Sequence, residues 1–284
     1  MKITFSTTPK PFNDSNIVRQ TNCLRSIVAL DVDKEILLFG EQTDSIAQDL
    51  CRDLGINFIY EYRRSEMSGI PFVNDLFSRT ENFCESDFYC YTNCDMIYLQ
   101  DFVDTVNFFN ELKTDKKKFM CGARWDTNEI KQILDFQSLT SAEIKEMTRI
   151  GERHSSFGID YFIFQKNTFM NMPDFMMARA KFDNFILSHA IDNPDILEVN
   201  ASNTISAIHQ NHHYGVNSDL DADTNWENLV TEFDYNASIE NKHYNRIASI
   251  DGCYNNTILN QNEIRLKQTG PKAWWENVSW GDIK

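Results

Sequence analysis

Two side chains with donor oxygens, Asn93 and Asp95, follow directly on the run Asp87-Phe88-Tyr89-Cys90-Tyr91-Thr92. A run so rich in aromatic and β-prone residues reads as a buried strand, which puts the pair at that strand's carboxyl edge. In open α/β sheets this edge is where ligands bind. A carboxylate held there can ligate a divalent cation, and the cation in turn neutralises a diphosphate. Asn93 can hydrogen-bond or ligate through its amide oxygen but carries no charge, so metal affinity should be lower than with two carboxylates.

Other residues extend the possible chemistry. Thr7 and Thr8 end the first strand pattern and share the ligand edge with Asn93 and Asp95. Asp183, in Phe182-Asp183-Asn184-Phe185, stands at the start of a helix pattern, where carboxylates are favoured; capping alone, or capping combined with proton transfer, fits that position. Asp160, close to Gly158, could hydrogen-bond hydroxyl groups or simply close a turn. Trp125-Asp126 could stack a sugar ring or bury the indole. His209 and His212, three residues apart, could join Asp95 in a metal shell or touch a diphosphate, against a structural role for each. Arg63, Arg64 and Arg124 are either surface charges or contacts to phosphate or carbohydrate.

The elements that must position these groups alternate. Strand patterns at 2–6, 35–40, 57–62 and 87–92 are separated by helix patterns that start near Asn13, Asp44 and Pro71, with Gly55 suited to a left-handed helix end. Such alternation predicts a parallel sheet wrapped by right-handed crossovers. Further on, Asp101 caps a helix to about 113, 119–125 and 157–164 read as strands, and Thr140-Ser141-Ala142-Glu143 is a capping-box pattern. A helix over 182–191 and short strands at 196–199 and 204–209 complete the reading. No clear break appears, so one domain over 1–214 is expected, with 215–284 as a C-terminal extension packed on it. That extension holds Trp274, Trp275 and Trp280, which could form a lid, an acceptor wall, a structural packing or a partner contact.

Composition narrows the function classes. The chain has 284 residues, 42% hydrophobic and 24% charged, with 21 Phe, enough for a ring-rich core. A formal charge of −15 opposes non-specific binding to nucleic acid or anionic lipid, while a metal-bridged anionic substrate stays possible. No apolar run approaches the roughly 18 residues that span a bilayer. Met1-Lys2-Ile3-Thr4-Phe5 enters a strand pattern without the apolar stretch of a signal peptide, so the mature chain is expected to begin here. Seven scattered Cys without a CxxC pattern fit buried, reduced thiols and a cytoplasmic location.

Asn93-Cys94-Asp95 after its hydrophobic strand resembles the DxD motif of GT-A-fold glycosyltransferases, with Asn in place of the first Asp. Gly158-Ile159-Asp160-Tyr161-Phe162-Ile163-Phe164 looks like the glycine-bearing strand that lines the acceptor side in inverting, family-2-type members, and Asp183 stands where those enzymes carry their catalytic base. Ile208-His209-Gln210-Asn211-His212-His213-Tyr214 is similar to a stretch of GT-A-like sequences. Over residues 1–214 the resemblance implies a GT-A fold: an α/β, Rossmann-like, mostly parallel sheet flanked by helices. It further implies a nucleoside-diphosphate sugar donor bound by Thr7, Thr8, Asn93 and Asp95, and a carbohydrate or glycolipid acceptor near Gly158, Asp160 and Trp125. Mn²⁺ or Mg²⁺ would be held by Asp95 and His212, with Asp183 as base for an inverting transfer. Two rival readings stay open. A sugar-1-phosphate nucleotidyltransferase would share the sheet and the metal chemistry, although Thr7-Thr8-Pro9-Lys10-Pro11 lacks its glycine-rich basic loop. A non-catalytic sugar-binding or scaffold protein is the other, and Asn93 is the best argument for it.

Overall fold

The computed structural model describes residues 1–14, 16–66, 68–177, 182–211, 249–260 and 263–268, with backbone alone at 141 and 147–150. Alternating strands and helices open the chain: β1 (Lys2–Thr7), α1 (Ile17–Ala29), β2 (Asp33–Phe39), α2 (Ser45–Leu54), β3 (Asn57–Ile59), α3 (Val73–Phe83) and β4 (Phe88–Thr92). There follow β5 (Met96–Ile97), α4 (Gln100–Glu111), β6 (Lys117–Ala123), β7 (Trp125–Thr127), α5 (Ser141–Ile150), β8 (Glu152–Arg153) and β9 (Ile159–Phe164). The last described elements are α6 (Phe182–Asp192), β10 (Ile196–Asn200), β11 (Ile208–Gln210), a 3₁₀ turn, β12 (Asn255–Asn260) and β13 (Glu263–Gln268).

Nine strands form the main sheet, in the order β13-β12-β10-β6-β9-β4-β1-β2-β3. All pairs are parallel except β4 and β6 with β9, and β12 with β13. The expected architecture, a mostly parallel sheet flanked by helices, is the one observed. Both faces of the sheet are covered: apolar side chains of α1, α2 and α4 pack on one, and those of α3 and α6 on the other. Double coverage explains why β4 and β9 read as continuous apolar runs, since every residue of each is buried.

A second, four-stranded sheet runs β5-β11-β7-β8, with Ile97, Leu99, Leu134, Ile144 and Ile208 clustered on it. Of this sheet sequence periodicity offered only β11, within a strand expected over 204–209, and it merged β6 with β7. Two of the passages from the main sheet into the small one take three residues or fewer, between β4 and β5 and between β6 and β7. At the second of these the β6 register shifts between Cys121 and Ala123. Gly122 lies in that irregularity, where a Cβ would stand 2.9 Å from the backbone nitrogen of Ser202, so the close approach requires glycine.

Several local expectations are realised and others displaced. Asp44 caps α2 by accepting from the Ala47 N–H at 3.0 Å, Gly55 ends it at φ 69°, and the Thr140–Glu143 capping box is formed. Asp101 does not cap α4, which begins after Leu99; its carboxylate instead accepts from the Ser206 hydroxyl at 2.6 Å and its N–H at 3.2 Å, fixing the approach to β11. Among the described residues no disulfide is formed, and six of the seven cysteines are buried. Among the described residues no helix is long and apolar enough to cross a membrane.

Asp44 does more than cap, because its other oxygen accepts from the Phe12 N–H at 3.0 Å and pins the β1–α1 connection. Asp44→Ala is therefore expected to lower stability by about 1–2 kcal/mol, the upper part of the range for a lost cap, read as a shift of the urea midpoint.

Candidate functional site

In the main sheet β1 lies between β2 and β4, so successive crossovers leave it in opposite directions. Such a switch point opens a crevice at the carboxyl ends of the strands. The crevice is a groove of about 480 Å³, with Thr8 beyond β1, Phe39 to Glu41 at the end of β2, and Asn93 to Asp95 beyond β4 on its walls. Tyr62, Arg64, Met177 and Phe182 close its far side, and Lys10, Arg19 and Asp44 also face it. A volume of this size suits a nucleotide-scale ligand.

Strand alternation sorts the two threonines. Thr7 is buried, and Thr8 reaches the groove with its hydroxyl 2.5 Å from that of Tyr91. The loop beyond is held by Gln20, whose amide accepts from the Lys10 N–H at 2.7 Å and donates to the Lys10 carbonyl at 3.0 Å. On the opposite wall the Arg64 guanidinium lies over the Tyr62 ring, 4.1 Å from its centroid, pairs with Glu41, and donates to the Gly40 carbonyl at 3.2 Å. Burial pushes the Tyr62 hydroxyl up to about 12, with Arg64 opposing, so it stays protonated and able to donate.

Behind Asn93 and Asp95 runs a continuous polar network. The Asn93 N–H donates to the Asp160 carbonyl at 3.0 Å, and its amide nitrogen donates to Asp160 Oδ1 at 2.5 Å. An ionised carboxylate only accepts, so this contact fixes the amide orientation and leaves Asn93 Oδ1 as the acceptor on the other side. Asp160 Oδ2 accepts from Arg124 Nη1 at 2.7 Å, and Arg124 Nε donates to Asp126 Oδ1 at 2.9 Å. Asp126 Oδ1 lies 2.8 Å from His209 Nδ1, whose Nε2 is 3.5 Å from Asp95 Oδ2. The Asp95 carbonyl accepts from both the backbone and the side-chain nitrogen of Gln210, each at 3.1 Å. Among the described residues, three carboxylates and one guanidinium make up this network.

These contacts revise several expectations. Asp160 is buried, with both oxygens engaged by Asn93 and Arg124, so it braces the groove floor instead of facing an acceptor. Arg124 is buried, not a surface charge, and His209 is fully buried behind Asp95. Gly158 answers to packing: a Cβ there would collide with the His154 ring. Trp125 is half-buried and held through its backbone in β7, its N–H donating to the Ala207 carbonyl at 2.8 Å. Asp183 lies in the first turn of α6, its Oδ1 accepting from the Asn184 N–H at 2.8 Å, directly after the groove residue Phe182. His212, His213, Trp274, Trp275 and Trp280 lie outside the described residues.

No family model matches the sequence, and no curated protein matches it either. Similar solved structures include S. aureus TarS 1–349 in complex with UDP-GlcNAc, at 13% identity and TM-score 0.46, covering 86% of this chain and 74% of that one. Glucosyl-3-phosphoglycerate synthase from Mycobacterium tuberculosis in complex with Mn²⁺, UDP and glucosyl-3-phosphoglycerate aligns at 10% identity and TM-score 0.44, covering 95% and 87%. 4-Diphosphocytidyl-2C-methyl-D-erythritol synthase from Anaerococcus prevotii aligns at 12% and 0.41, covering 82% and 97%. Against two other TarS structures the chain spans 59% and 37% of their length.

Among the described residues no group of three His, Cys, Asp or Glu is arranged to hold a metal. The oxygens of Asp95 and Asn93 nevertheless suit a hard cation that brings its remaining ligands with it, because Mg²⁺-type sites use one or two carboxylates plus substrate phosphates and water. The groove thus fits a cation delivered with a diphosphate. Sequence reasoning offered Arg64 as a surface charge or a ligand contact, and the structure places it on the groove wall. It missed Glu41, Tyr62 and the Gln210 clamp, for which only the polarity of Glu41 beside a strand end gave a signal.

Proposed function

We propose that the chain is a GT-A-type glycosyltransferase that moves a sugar from a nucleoside-diphosphate donor to a carbohydrate or glycolipid acceptor, with inversion at the transferred carbon. The observation that carries this reading is the position of Asn93 and Asp95 on the floor of the switch-point groove. A carboxylate-rich network beneath them repels a bare diphosphate and accepts one paired with a divalent cation.

Asp95, with the amide oxygen of Asn93, would hold Mn²⁺ or Mg²⁺. When bound, the cation supplies Lewis-acid stabilisation of the leaving diphosphate. Thr8 and the Glu41–Tyr62–Arg64 wall enclose the nucleoside end of the groove. Lys10, Arg19 and Arg64 offer positive charge at its rim. Asp183, beside Phe182 at the start of α6, takes the proton of the attacking acceptor hydroxyl as the new bond forms. With Asp183 on the face of the sugar opposite the diphosphate, a single in-line displacement by that hydroxyl inverts the configuration.

Incubation of the purified protein with UDP-, GDP- and dTDP-sugars and Mn²⁺ tests the proposal. Slow, chelator-sensitive hydrolysis of one donor is expected. Pyrophosphate release from a nucleoside triphosphate would instead identify a nucleotidyltransferase, and calorimetry without any nucleotide binding would leave a scaffold.

A further inference from the structure

Asn93 and Asp95 occupy the short passage from β4 of the main sheet to β5 of the small one, and Arg124 occupies that from β6 to β7. Asn93 continues β4 and takes its backbone bond from Asp160 in the main sheet, whereas Asp95 leads into β5 of the small sheet. In the small sheet His209 stands opposite Met96 on one side and Asp126 on the other, which brings the Asp126 and His209 side chains together behind Asp95. Arg124, in the single-residue gap between β6 and β7, reaches both sheets with one planar group: Nη1 to Asp160 and Nε to Asp126. Arg124 is 8% exposed and does not line the groove.

We propose that Arg124 is a positioning residue that sets the relation of Asn93 to Asp95, and so the cation-diphosphate geometry, by tying the two sheets together behind them. One arm, through Asp160, holds the Asn93 amide with its nitrogen inward and its oxygen toward the groove. The other, through Asp126, backs His209, whose Nε2 stands 3.5 Å from the Asp95 carboxylate. Lysine keeps the charge but is a point donor on a flexible stem and lacks the planar fork that reaches two carboxylates at once. The catalytic consequence rests on the donor reading above; the effect on Asn93 does not.

Two variants and two readouts test the role. In Arg124→Lys the donor KM with Mn²⁺ is expected to rise about 10- to 100-fold, as for lost outer-shell partners of metal ligands, with kcat changed far less. The ¹⁵N signal of the Asn93 side-chain amide, identified by its loss in Asn93→Asp, should move toward solvent-exposed values. Asp126→Asn removes the charge from the second arm only, so KM should rise while the Asn93 amide signal stays in place. If Arg124→Lys fails to fold, Asp126→Asn carries the test, and an unchanged KM there overturns the proposal. A folded Arg124→Lys protein with the wild-type KM and amide signal overturns it too. Should the wild-type protein bind no nucleotide sugar, the donor reading fails, and the amide signal alone decides: displaced in Arg124→Lys it supports the role of Arg124, unchanged it overturns it.

Discussion

Asp95→Ala should reduce nucleoside-diphosphate affinity in the presence of Mn²⁺ to the value measured without metal. Asp95 is the carboxylate of the motif and stands beside an uncharged Asn93, so nothing adjacent in the motif replaces it as a charged ligand. Asp95→Asn, which keeps the shape and removes the charge, should lose the metal effect equally. Both variants should retain a cooperative unfolding transition, since the Asp95 side chain is 22% exposed and its backbone is clamped by Gln210. Calorimetric titration of UDP and GDP, with and without Mn²⁺, reads the effect. A metal-dependent affinity that survives in both variants would remove Asp95 from the site.

Asp183→Asn should leave donor binding intact and slow transfer by about 10²- to 10⁴-fold, the range for a lost general base. The amide oxygen of Asn can still accept from the N–H of residue 184, so the first turn of α6 keeps its bond and the loss falls on proton transfer. Measuring kcat separately from the donor Kd distinguishes the two roles. Turnover within a few-fold of wild type would reduce Asp183 to a helix-start residue.

The parts of this molecule that were legible in its sequence are those built from one physical signal each. β4 announced itself because burial on both faces demands an unbroken apolar run, and its end therefore located Asn93 and Asp95. Asp44, Gly55 and Thr140 were legible because helix ends leave backbone groups that only certain side chains satisfy. Apart from β11 the small sheet was not, since strands of two or three residues are too short to show a period. Nor was the antiparallel direction of β9, because an apolar run carries no sign of direction. The roles of Asp160, Arg124 and His209 followed from that sheet. Without it Asp160 resembled an acceptor contact, Arg124 a surface charge and His209 a metal ligand, whereas cross-strand pairing makes all three internal supports.

The groove wall shows the same limit from another side. Glu41, Tyr62 and Arg64 come from the connections after β2 and β3, and their contact depends on parallel pairing of those strands. Such convergence has no local signature, and only the topology, with β1 at the switch point, brings it to the edge that holds Asn93 and Asp95.

A crystal of the protein grown with Mn²⁺ and the donor that it hydrolyses, measured at a wavelength where manganese scatters anomalously, tests the central claim most directly. The account predicts one anomalous peak about 2.1 Å from a carboxylate oxygen of Asp95 and in contact with both phosphates of the donor. A nucleotide bound in the groove with its diphosphate turned away from Asp95, or with no peak between them, would contradict it.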